Sequence, residues 1–340
     1  MIKTRETWVD DVKVFACILV ALGHFFQSMI NAAILPETML YSWFNRTIYY
    51  FHVPLFFLCS GYLYQKKSGR GNTYSLQENV IRKGVSLGIP YFVFSLVTWL
   101  LKEVFSGSVN SQNEGLLHTL LLEPASPYWY LYTLFFLFLI TPRFSGSRMA
   151  ATGAVCAVIL KLLRVFCPQT GIYAVDSVMD NALWFILGML IPFAGSGKEN
   201  DCTKKLRAGI VLSLVFLAVS ILISRKGISF KLLPVFMGIW GCGSVLLVLS
   251  SWSAGSGLRR TLDFLAKYTM PVFLMHTIFA AGLRAVLIKL SISDPVIHVT
   301  AGIFISFAGP ILATIVMERT RLDILLYPGK YFFKGKKQGA

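Results

Sequence analysis

Ten stretches of this chain are apolar for about the length that a bilayer demands, and few charges interrupt them. A helix crossing the ~30 Å hydrocarbon core needs roughly 20 predominantly apolar residues, because each residue rises ~1.5 Å. Every backbone polar group must also be satisfied inside the segment, which restricts a spanning chain to helices or a closed barrel. The stretches lie at about 12–31, 47–64, 84–102, 127–142, 149–166, 181–195, 208–224, 232–250, 268–288 and 296–317. The fourth and sixth are the shortest, and 116–122 reads as an amphipathic or re-entrant piece ahead of the fourth. Charged residues make up only 14% of the chain, against ~25% in a soluble domain, too few to coat a water-facing surface. The expected fold is an all-α integral membrane protein of about ten transmembrane helices. The first stretch is read as its first helix and not as a cleaved leader. Glu6, Asp10 and Asp11 precede it along with bases, and no small-residue cleavage site follows.

Thirty-two Lys and Arg stand against 16 Asp and Glu, a net charge of +16. On a soluble protein this would point to nucleic acid, but no basic run interleaves with aromatics as such a surface requires. Membrane proteins instead gather Lys and Arg in cytoplasmic loops. With the N-terminus inside, 23 bases fall on the cytoplasmic side and 7 outside, while Lys161 and Arg284 lie within spans. That sorting predicts both termini in the cytoplasm, with the loop holding Arg225, Lys226 and Lys231 against the trend. No internal repeat or linker divides the chain, so residues 1–340 are expected to form one domain. Its helical core covers about 8–320, and 321–340 form a basic cytoplasmic tail. The six cysteines contain no CxxC pair, and no zinc site or disulfide framework is expected.

Ionisable residues inside a membrane are costly and tend to be functional. In the first helix Lys13 and His24 stand 11 positions apart. At ~100° and ~1.5 Å per residue they share one face and are separated by ~16 Å. Lys13 then sits at the cytoplasmic mouth and His24 near the midplane. A coenzyme A thioester has that shape, with phosphates at one end and a reactive carbonyl at the other. The bland alternatives are a topology charge at Lys13 and a structural hydrogen bond at His24. His52 precedes Pro54 in the second stretch, where structural and substrate roles are equally open. Arg82 and Lys83 open the third stretch, as topology charges or as a second phosphate contact. Trp129 lies in an aromatic Tyr128-Trp129-Tyr130 entry that an interfacial belt would explain, and His276 is a third intramembrane histidine. No phosphate-binding glycine loop, serine-nucleophile elbow or metal-binding histidine–carboxylate motif occurs, and no metal is expected.

These residues carry a resemblance to the acyltransferase 3 family, and within it to the short branch similar to fucose 4-O-acetylases. The spacing from Lys13 to His24 matches the family's base, ten residues, then histidine, with Asp10 as the acid three residues before the base. The run Phe51-His52-Val53-Pro54-Leu55-Phe56-Phe57-Leu58-Cys59-Ser60-Gly61-Tyr62 resembles the family's second-helix motif, with Val53 in place of Met. Trp129 with Leu131, Trp184-Phe185 with Gly188, and Leu274-Met275-His276 are weaker matches. The chain departs from the family where a second arginine is usual: Val85 stands three residues after Arg82, with Lys83 adjacent.

The resemblance implies a multi-pass protein of the cell (inner or cytoplasmic) membrane. It would move an acyl group, acetyl above all, from cytoplasmic acyl-CoA to a hydroxyl of an envelope sugar, polysaccharide or lipid-linked glycan. His24 would be the general base. Lys13, Arg82 and Lys83 would hold the donor's phosphates, and His52, Trp129 and His276 would face the acceptor. Asp10 would pair with Lys13, and any group orienting His24 must come from another helix. The competing expectation is a transporter or flippase of a lipid-linked or acylated glycan, although the absence of visible internal repeats weighs against it.

Overall fold

A computed structural model of the protein describes residues 6–66, 76–105, 114–193 and 201–333. Among these residues there is no strand. The helices are α1 (Thr7–Asn31), α2 (Met39–Tyr49), α3 (His52–Lys66), α4 (Leu76–Lys83) and α5 (Ile89–Val104). Then follow α6 (Trp129–Ile140), α7 (Ser147–Phe166), α8 (Tyr173–Leu190) and α9 (Cys202–Lys226). The chain closes with α10 (Leu233–Ser251), α11 (Ser256–Lys289), α12 (Pro295–Thr320) and the short α13 (Pro328–Phe332). A single wide turn at Gly84–Gly88 joins α4 to α5. Of the bases assigned to the cytoplasmic side, Lys3, Arg5, Lys67, Arg70, Lys198, Lys334, Lys336 and Lys337 fall outside the described residues, as does the end of the expected tail at 334–340.

Eight helical segments are long and apolar enough to cross a membrane. The second and fourth expected spans are shorter than the hydropathy pattern implied. The second breaks in two, because Pro54 cannot continue a helix from α2 but is tolerated in the first turn of a new one. What remains is the 15-residue α3. The fourth is the 12-residue α6. At ~1.5 Å per residue the two cover only about 22 and 18 Å. The sixth span was placed too late, at 181–195. Helix α8 begins at Tyr173, and its first turns hold Asp176, Ser177 and Asp180, whose polarity hid them from an apolar search. Residues 116–122 are helical and end in a wide turn at His118–Leu122.

Packing is tightest where α3 meets α8. A Cβ added to Gly61 would lie 1.9 Å from the Phe185 carbonyl oxygen, and one added to Gly188 would lie 1.9 Å from that of Leu58. Backbone therefore rests on backbone, which is how helices gain close dispersion contact in a solvent as apolar as their own side chains. On the outer helices, Val155, Ile159, Val211, Leu214 and Phe304 stay exposed, as a lipid-facing surface requires.

Both ends of the described chain lie at one end of the bundle, called basal here. Glu6 pairs with Lys66 at the foot of α3. Asp11 is held by Arg259 near the start of α11. Lys267 reaches Glu318 near the end of α12 at 3.1 Å. After α12 the chain folds back, and Lys330 meets Asp323 at 2.9 Å. The Tyr327 hydroxyl donates to the Lys267 carbonyl at 3.1 Å. Pro271, four residues on, has no N–H to offer that carbonyl, so the tail supplies the donor that the helix cannot.

Candidate active site

Helix α1 is unbroken from Thr7 to Asn31, so Lys13 and His24 keep the shared face and ~16 Å separation of an ideal helix. Gly23 lets this part of α1 approach α2, since a Cβ there would lie 2.9 Å from Ile48 Cδ1. His24 is only half-buried, although neighbours enclose it. Its ring centroid lies 5.4 Å from that of His276 on α11. The Ser126 hydroxyl lies 3.4 Å from its Nε2.

His276 is buried, and its Nδ1 meets the carbonyls of Val272 and Phe273 at 2.9 and 3.0 Å. A nitrogen between two carbonyl oxygens must carry the proton, which leaves Nε2 with the lone pair. That Nε2 has no hydrogen-bond partner among the described residues. An intramembrane acceptor atom therefore sits in the ring that touches His24.

The α1–α11 seam is polar at four successive levels. Asp11 takes a bidentate pair from Arg259 at 2.7 and 2.8 Å. The Cys17 thiol approaches the Thr269 carbonyl at 3.5 Å. His24 and His276 form the third level. Arg284 donates to the Ser28 carbonyl at 3.2 Å to form the fourth. The sequence showed Arg284 within a span but could not reveal its partner. Asp11, beside the Asp10 that the sequence singles out, makes a cross-helix ion pair with Arg259.

The other expected residues divide between two places. His52 is buried, with Nδ1 donating to the Ile48 carbonyl at 2.6 Å and its ring 4.7 Å from that of Tyr49. Trp129 lines a cleft at the distal end of the bundle, together with Tyr49. At the basal end the Arg82 guanidinium lies over the Phe333 ring at 4.6 Å. The Lys83 ammonium packs on Phe138 at 3.4 Å and faces Tyr64 at 5.9 Å, where Arg143 also stacks at 4.8 Å. Helix α4 thus packs toward α6, whereas α1 packs against α3, α10, α11 and α12.

Tyr128 is a structural residue that attention to Trp129 concealed. It is fully buried. Its hydroxyl lies 2.7 Å from Thr98 Oγ1 and donates to the Leu274 carbonyl at 3.0 Å. It ties α5 and α6 to α11 two residues before His276. Among the described residues, Glu114, His118 and Glu123 bring their potential ligand atoms within 4.8 Å of one another. The two carboxylates are exposed, and no ion is assigned to them.

The chain matches the family model described as an acyltransferase domain over residues 6–315. It is similar to the nodulation protein NolL of Mesorhizobium japonicum, with 29% identity over 136 residues, or 40% of this chain and 35% of the relative. It is also similar to the nodulation protein NolL of Sinorhizobium fredii, with 29% identity over 163 residues, or 47% of this chain and 43% of the relative. Each alignment thus spans less than half of the relative's own length. No solved structure matches.

Proposed function

The chain belongs to this family of acyltransferase domains, and from that premise we propose that it transfers an acyl group, acetyl in the first instance, from acyl-CoA to a hydroxyl of an envelope sugar, polysaccharide or lipid-linked glycan. The observation that carries the reading is the His24–His276 contact, on a helix that also presents Lys13 about three turns below. The basal end faces the cytoplasm in this proposal, in keeping with the positive charge gathered there.

A ring nitrogen of His24 takes the proton of the acceptor hydroxyl as its oxygen attacks the thioester carbonyl. The new carbon–oxygen bond forms, the carbon–sulfur bond breaks, and the proton passes from His24 to the departing thiolate. Lys13 holds the donor's phosphates through charge-assisted hydrogen bonds. Arg82 and Lys83 add positive potential at the same end. His276 is a positioning residue. Its proton is committed to the carbonyls of its own helix, so the lone pair beside His24 favours one orientation of the catalytic ring.

The test uses the full chain in nanodiscs, supplied with acetyl-CoA and an envelope glycan fraction. Free thiol should appear together with acetyl ester on the glycan, and only when both substrates are present. A protein that moves glycan across the bilayer without consuming acetyl-CoA would contradict the proposal.

A further inference from the structure

The mechanism leaves unused a cleft of about 540 Å³ at the distal end, opposite Lys13. Three observations bear on its occupant. First, it combines rings with charge: Tyr49, Trp129 and Tyr173 line it together with Lys161, Arg164 and Asp180. Tyr49 is 43% exposed, and Trp129 and Tyr173 are half-buried, so their faces are open to a ligand. Second, the charges hold one another in place. Lys161 donates to the Asp180 carbonyl and carboxylate at 2.9 and 3.1 Å, and Arg164 Nε lies 3.0 Å from the other carboxylate oxygen. A guanidinium has five N–H donors, and the Nε–H of Arg164 meets Asp180 as an ion pair without a hydrogen bond. With Glu123 and Asp176 also on the wall, neither sign dominates, and a strongly charged ligand gains little. Third, residues of its wall border residues that neighbour His24. The Tyr49 ring on its wall is also the ring that packs on His52. Glu123 is shared with a second cavity of about 170 Å³, lined by Thr98 and Ala125, next to the Ser126 hydroxyl that faces His24.

Open aromatic faces beside fixed donors and acceptors of both signs suit a neutral polyhydroxyl ring, whose C–H face stacks while its hydroxyls both donate and accept. The volume falls within the ~300–1,000 Å³ typical of small-molecule sites. We propose that this cleft binds a neutral pyranoside, the sugar ring of the acceptor, with Trp129 and Tyr173 as stacking faces and the Lys161–Arg164–Asp180 cluster as its polar wall. Its role as acceptor site rests on the acyltransferase reading, whereas sugar binding by the cleft does not.

The probes are the methyl glycosides of glucose, galactose, mannose, fucose, rhamnose and N-acetylglucosamine, offered singly to the full chain in phosphatidylcholine nanodiscs. Saturation-transfer NMR reads binding, and thermal melts confirm folding. At least one glycoside should bind the wild type. Loss of a central aromatic anchor is expected to weaken that binding about tenfold or more in Trp129→Ala and in Tyr173→Ala. Trp129→Phe and Gly243→Leu should remain within about threefold of wild type, since one keeps a stacking face and the other lies outside the cleft with nothing within 4 Å of its added Cβ. Tyr173→Ala decides the matter if Trp129→Ala misfolds. Binding of none of the glycosides, binding indifferent to both ring deletions, or binding lost equally in Gly243→Leu would overturn the assignment. Thiol release from acetyl-CoA, measured in parallel, separates the two claims. Ring-dependent binding without release leaves the sugar site standing and removes the transferase reading. Release without ring-dependent binding removes the site alone.

Discussion

Two seams of the bundle show opposite ways of joining helices inside a membrane. Between α3 and α8, Gly61 and Gly188 let the backbones touch. Between α1 and α11, Arg259, Cys17, His276 and Arg284 each contribute to a polar contact at a different depth. The first seam is closed by dispersion, backbone on backbone and ring on ring. The second retains ionisable groups that a lipid-facing or purely structural interface would exclude, because each is costly to hold at that depth. The difference sets close apolar packing in one seam against ionisable groups in the other.

The largest effect should come from breaking the closed seam. A leucine at Gly188 or Gly61 would drive its Cβ into a carbonyl oxygen that cannot move aside. The cost should exceed the ~1–3 kcal/mol of ordinary overpacking. Gly188→Leu is therefore expected to yield no monodisperse protein on size-exclusion chromatography, while Gly243→Leu, where nothing lies within 4 Å of the added Cβ, should behave as wild type. Equal yields would remove the contrast between the seams.

The polar seam should be less sensitive to any single change. Asp11→Ala removes the bidentate partner of Arg259, but Asp263 still stands 3.2 Å from that guanidinium. We expect a loss of about 2–4 kcal/mol, near the lower end of the range for a broken buried pair. A double-mutant cycle with Arg259→Gln should show clear coupling, and additive losses would show that the pair is incidental. Lys13→Ala should weaken acyl-CoA binding by ~1.5–3 kcal/mol, roughly tenfold to a hundredfold, with Lys13→Arg close to wild type. Arg82→Ala should act in the same direction. Unchanged donor affinity in both alanine variants would leave those bases as topology charges.

The smallest effect is at the basal latch. Burial alone would raise the Glu6 carboxyl, but hydrogen bonds from Lys66 and Tyr62 outweigh it and hold the group below the ordinary carboxylate range. Hydrogen bonds from Tyr331 and Lys330 do the same for Asp323. A depressed carboxylate stabilises the folded state above its unfolded pKa, and that contribution is lost as the pH falls through the folded value. Thermal stability should therefore fall below about pH 4–5, and Glu6→Gln should remove part of that slope at a cost of ~0.2–1 kcal/mol at neutral pH. A slope on the alkaline side instead would contradict this origin.

The sequence disclosed most of what periodicity and hydropathy can encode. The apolar stretches located the helices, and the Lys13–His24 spacing survived because one continuous helix contains both residues. It missed what depends on another helix. Lys161 was visible as a charge inside a span, but Asp180 sits on the polar opening of α8, which an apolar criterion assigned to a loop. Asp11 carries no mark of its own in the sequence, because its partner Arg259 stands 248 residues away. The break before α3 was written in Pro54, but the apolar run through it masked the stop.

The central claim is that the polar seam exists for His24 to act as a base. Its most direct test is acetyl transfer by His24→Gln, normalised to folded protein and read at saturating acetyl-CoA. Glutamine keeps a hydrogen bond but cannot take up the proton. The account predicts a loss of about 10²–10⁴ in rate with acyl-CoA binding retained. Transfer within about threefold of wild type, far inside that range, would show that His24 only fills and braces the seam.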